Sequence, residues 1–177
     1  MTLGSLWQFI AGETKGWMVG GTVAVLAGVA IGLSPAMGYP GGRFPVGVLP
    51  EGGFPGQDAN LEILLPSLFL SLGGGYAVLF PGVRVSRATL HIVRDWKLYP
   101  LSGRLLWILA HVTAVTGLAV CILAGATCPG VPGLLVWLFT GIYLALAGWA
   151  AALMGTAANI RLTGGEEGLA APAVQPG

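Results

Sequence analysis

The sequence predicts an all-α integral membrane protein, a four-transmembrane-helix bundle with an amphipathic interfacial helix and a long Pro/Gly-rich loop. Three observations lead there. Of 177 residues, 55% are hydrophobic and only 8% carry a formal charge, against roughly 25% charged in a soluble domain. So few charges cannot solvate a water-facing surface, and lipid has to cover the apolar exterior. Four continuous apolar stretches then approach the ~20 residues that a bilayer core of about 30 Å requires of a helix. Finally, once those stretches are treated as spans, seven of the eight basic residues fall on one side.

Before the first span, Leu3, Leu6, Trp7, Phe9 and Ile10 form an apolar patch suited to the headgroup region, with Trp7 and Trp17 as interfacial anchors. The opening MTLGSLWQFIAGETKGW has no basic stretch followed directly by an apolar core. It is expected to act through the first span rather than as a cleaved signal. The spans are placed at residues 17–33, 63–80, 105–124 and 134–154, within a single membrane domain. None contains Asp, Glu, Lys or Arg, and their runs do not alternate as barrel strands do, so helices are expected.

The loop at 34–60 carries proline at positions 35, 40, 45, 50 and 55, four of them after Tyr39, Phe44, Leu49 and Phe54. Fixed proline φ values, and glycine after Pro40 and Pro55, predict a string of turns and extended steps. Its aromatic rings predict ordering against the bundle or a neighbouring subunit. In the basic loop at 81–104, Val85, Ala88, Ile92, Val93 and Trp96 recur at helical spacing, while Arg87, His91, Arg94 and Asp95 fall on the other side. This predicts an amphipathic helix lying on the membrane, available to a partner or to anionic headgroups. The tail at 162–177, which includes GGEEGLAAPAVQPG, reads as low-complexity and flexible.

Four spans place both termini and the central loop together. Lys15, Arg84, Arg87, Arg94, Lys97, Arg104 and Arg161 lie on that side and Arg43 alone on the other. Basic loops stay on the cytoplasmic side or its stromal or matrix equivalent, which sets the expected orientation. A net charge of +1 gives no field for nucleic acid. Cys121 and Cys128 would stand about 10 Å apart along a continuous helix, too far for a disulfide, and are expected to pack as small apolar residues.

Small residues recur every four positions within the spans: Gly20, Ala24, Gly28 and Gly32; Ser67, Ser71 and Gly75; Thr113, Gly117, Cys121 and Gly125; Gly141 and Ala145; then Gly148, Ala152 and Thr156. Close backbone approach drives helix association in lipid, so these rows predict tight helix packing. No catalytic residues are expected, because no charge lies inside a span and no phosphate loop or metal spacing occurs. No small-molecule substrate and no metal site are evident. His111, about two turns into the third span, is the one exception. A neutral imidazole there has the chemistry to ligate haem iron or chlorophyll magnesium, or else to bond between helices.

From the second span onward, LFLSLGGGYAVLF, a basic turn, WKLYPLSGRLLWIL and VWLFTGIYLALAG resemble the four-helix COPI-associated Golgi membrane proteins, with Gly103-Arg104-Leu105-Leu106 opening the third span as in that family. The light chain of phagocyte cytochrome b is similar in layout, with a basic segment before a third span containing His. The likeness covers about the C-terminal half, and the Pro/Gly loop departs from both patterns. It implies a noncatalytic membrane partner in vesicle traffic. The residues themselves favour a noncatalytic accessory subunit of a larger integral membrane complex, respiratory or photosynthetic. Structural lipids and other integral membrane subunits would be its partners. A pigment- or haem-binding subunit using His111 and a Golgi or endosomal trafficking protein are the alternatives.

Overall fold

The structure is a computed structural model that describes residues 3–33, 57–86, 96–127 and 132–169. The described chain is helical almost throughout. Helix α1 spans Leu3–Phe9, α2 Gly12–Leu33, α3 Gln57–Val85, α4 Leu101–Thr127 and α5 Pro132–Leu169, with a short 3₁₀ turn at Trp96–Leu98 before α4. Four stretches, Gly12–Leu33, Leu65–Val85, Leu101–Ala126 and Leu135–Leu162, are long and apolar enough to cross a membrane. Most of the Pro/Gly-rich loop (34–56) and the heart of the expected amphipathic helix (87–95) lie outside the described residues.

Each helix overruns the span read from charge. Helix α2 starts at Gly12 and so includes Glu13 and Lys15, α4 starts at Leu101 and includes Arg104, and α5 continues past Arg161 to Leu169. Charges mark where hydrocarbon ends, whereas a helix can run on into water. Helix α3 also carries Pro66 and Pro81 in its interior and ends only at Val85. Each proline forfeits one backbone bond, a loss that transmembrane helices tolerate when neighbours resatisfy the freed groups.

The packing has a definite order. Helix α3 lies between α2 and α5, α5 lies between α3 and α4, and α4 packs chiefly along α5, with α2 touching α5 to a lesser degree. Matched residues give the directions. Gly21 faces Gly74 and Gly28 faces Ser67 and Ser71, so α2 and α3 are antiparallel. Gly75 faces Gly141, Gly82 faces Gly148 and Ser86 faces Gly155, so α3 and α5 are parallel. Gly103 meets Met154 and Gly117 meets Phe139, so α4 and α5 are antiparallel. The four long helices therefore alternate, and Lys15, Arg84, Lys97, Arg104 and Arg161 gather at one end.

Contact is close because backbone meets backbone. A Cβ built on Gly74 would lie 2.6 Å from the Gly21 carbonyl oxygen, and one on Gly141 2.5 Å from the Ser71 carbonyl oxygen. On α5 the contact glycines are 141, 148 and 155, spaced by seven residues, which is the repeat of a left-handed supercoil. Polar side chains join the same seams. Ser67 Oγ donates to the Gly28 carbonyl at 2.8 Å, and Trp149 Nε1 donates to Thr22 Oγ1 at 2.9 Å, which itself donates to the Met18 carbonyl at 2.7 Å.

At the basic end, α1 folds against the bundle instead of lying free of it. Leu6 is fully buried against Leu153 and Ala157 of α5, with Leu106 of α4 beside them. Trp7 stacks on Trp149 with ring centroids 5.4 Å apart, and the Lys15 ammonium sits 5.4 Å from the Trp7 ring centroid. Phe9 and Trp17 stay exposed. The turn at Trp96–Leu98 brings Tyr99 onto Met154 on the α4 side. Enclosed in this way, α5 is buried without a break from Ala150 to Ala157.

Candidate functional site

His111 stands ten residues beyond Leu101, about 15 Å along α4 and close to the midpoint of the Leu101–Ala126 stretch. The side chain is exposed rather than buried between helices. Its Nδ1 lies 2.8 Å from the carbonyl oxygen of Trp107, one turn earlier. A carbonyl can only accept, so Nδ1 carries the proton and donates. In the neutral imidazole that leaves the lone pair on Nε2.

Two aromatic rings wall the imidazole. Trp107 lies 4.7 Å away by ring centroids, tilted by 49°, and Tyr143 of α5 stands edge-on at 6.1 Å and 86°. Trp107 is itself held against Tyr99 and Met154, and both are buried. The wall is therefore anchored in the core at the basic end. Farther along the same stripe of α4, Ala114, Gly117, Leu118 and Cys121 face Phe139, Thr140 and Tyr143 of α5 across an apolar groove of about 200 Å³. Gly117 permits it, since a Cβ there would strike the Phe139 ring. Cys121 is half-buried in this groove, whereas Cys128 and His91 lie outside the described residues.

A second concavity, of about 570 Å³, lies on the opposite flank between α2 and α3, with Gly16, Gly20 and Gly73 in its floor and Trp17 and Phe69 among its walls. A Cβ added to any of these three glycines would meet nothing within 4 Å. Gly21 and Gly74 line the same concavity, but they and Gly28 serve close contacts between α2 and α3. The i+4 row that starts at Gly20 is therefore split: Gly28 and Gly32 face inward and Gly20 outward.

No family model, curated protein or solved structure matches this chain. Among the described residues, no group of three or more His, Cys, Asp or Glu side chains is placed to hold a metal ion. Of the residues around His111, Trp107 had a readable signal in its i−4 position. Tyr143 had none, because its place beside His111 depends on how α5 docks.

Proposed function

We propose that the chain is a multi-pass membrane protein and a noncatalytic accessory subunit of a larger integral membrane assembly. The outward glycine floor of the α2/α3 groove carries this reading. Glycine inside a helix costs about 1 kcal/mol relative to alanine. Yet a side chain at Gly16, Gly20 or Gly73 would meet nothing of the described chain within 4 Å, so no close approach inside the described bundle requires glycine there. In lipid, exposed backbone of this kind gains van der Waals contact from another closely approaching helix, and Trp17 and Phe69 would flank it. The occupant is a transmembrane helix of another subunit.

The apolar exterior supports membrane insertion. Val23 and Leu26 on α2, Phe69 and Tyr76 on α3, and Val115, Leu118, Ile122 and Leu123 on α4 are all at least 60% exposed. Such a surface is incompatible with water at that extent and natural against acyl chains.

The test uses Gly20→Leu in the full-length chain, solubilised gently from its native membrane and run on native gels. The expected variant keeps its helical content and thermal stability but leaves the high-mass complex that holds the wild type. Wild-type migration as a lone monomer in mild detergent, or a Gly20→Leu complex as stable as wild type, contradicts the reading.

A further inference from the structure

We propose that His111 binds a metallotetrapyrrole through Nε2, as the protein's single axial ligand to the metal. The site is separate from the α2/α3 groove and lies on the other flank of the molecule.

The first support is the imidazole's hydrogen-bonding state. The Nδ1–H bond to the Trp107 carbonyl fixes both ring orientation and tautomer, the arrangement by which metal-bound histidines are held and made more basic. No described residue bonds to Nε2, although the ring stands about two turns past Arg104 within an apolar stretch. An unmet acceptor in hydrocarbon is costly, and a metal ion satisfies it.

The metal's other ligands decide the class of cofactor. With no cluster of three ligating side chains among the described residues, a bare ion at His111 would lack the donors it needs. A tetrapyrrole brings four nitrogens of its own and asks for one more from the protein. Its flat ring needs an open apolar face, and Val112 and Val115 beside His111 are 52% and 69% exposed. The groove along Ala114, Gly117 and Cys121 begins one turn from His111 and gives a substituent chain of the macrocycle an apolar bed. Magnesium and iron tetrapyrroles share this chemistry.

The full-length chain in lipid nanodiscs would be titrated separately with zinc protoporphyrin, as a closed-shell substitute for magnesium, and with iron protoporphyrin. The Soret band would be followed for wild type, His111→Ala and His111→Gly. The expected result is a saturable Soret shift in at least one arm, weakened at least about tenfold in His111→Ala, and restored in His111→Gly by added imidazole. The arm that responds separates a magnesium-type cofactor from haem. Circular dichroism of the variants should match wild type, because His111 is exposed and its hydrogen bond to the Trp107 carbonyl adds nothing that the α4 backbone needs to stay helical. Three results would overturn the proposal: no shift in either arm, a shift of equal affinity in His111→Ala, or failure of imidazole to restore it. A low-spin bis-imidazole iron spectrum would overturn the single-ligand assignment.

Discussion

Replacing Gly148 by alanine tests the packing directly, because the added methyl has nowhere to go. Its carbon would stand 2.7 Å from the carbonyl carbon and oxygen of Val78 and 2.8 Å from the Leu79 Cα. These are backbone atoms of α3, so no rotamer change relieves the contact. Ordinary van der Waals separation starts at 3.4 Å, and α3 must therefore retreat from α5 by about 0.7 Å. A gap of that size forfeits roughly a quarter to a half of the dispersion energy of each contact it opens. The loss spreads along the seam, because Gly75, Gly82 and Gly141 share it. Overpacking by one methyl costs about 1–3 kcal/mol, and an unyielding backbone neighbour places Gly148→Ala at ~2–3 kcal/mol. For a chain of this length that lowers Tm by about 5–10 °C. Thermal unfolding in detergent micelles, followed by tryptophan fluorescence, would measure it. Gly20→Ala is the control, since its Cβ meets nothing within 4 Å; no loss is expected, and helix propensity should give a gain of up to about 1 kcal/mol. Equal stability of Gly148→Ala and wild type, or equal losses at both positions, would mean that α3 and α5 do not meet backbone to backbone at Gly148.

Other perturbations address separate contacts. Trp149→Phe and Thr22→Val each remove the hydrogen bond between α5 and α2, and a double-mutant cycle should give a coupling of about 0.5–1.5 kcal/mol. Additive losses would show that the bond contributes nothing. Leu6→Ala empties a fully buried site between α1, α5 and α4 and should cost ~2–4 kcal/mol in the same unfolding assay. An unchanged midpoint would mean that α1 does not dock as described. Gly117→Ala drives a methyl into the Phe139 ring and should loosen α4 from α5. The check is a red shift in tryptophan emission, from Trp107 and Trp137, that Ala114→Gly does not produce.

The number and place of the long helices were legible because apolar runs without charge have few other homes. Their ends were not. The expected spans stopped at residues 17, 80, 105 and 154, whereas the helices run on past Lys15, Pro81, Arg104 and Arg161. The order of packing was also hidden. In water an amphipathic stripe marks the inner face of a helix, but here Val25 points inward and Val23 outward with the same chemistry. That ambiguity let the row from Gly20 stand for the true seam of Gly21, Val25, Gly28 and Gly32. Position and type singled out His111, because an ionisable group in an apolar run is rare. Its exposure and its neighbour Tyr143 required knowing that α4 attaches chiefly to α5.

Four alternating helices that cross a bilayer would leave both ends of the described chain on one side. The most direct measurement is labelling by a membrane-impermeant maleimide in sealed, oriented vesicles. Cys121 and Cys128 would be changed to serine, and single cysteines placed in turn at Lys15, Arg84, Lys97, Arg161 and Gln57. The first four should react from one face and Gln57 only from the other. Labelling of Arg84 and Arg161 positions from opposite faces, or of all five from one face, would contradict this topology.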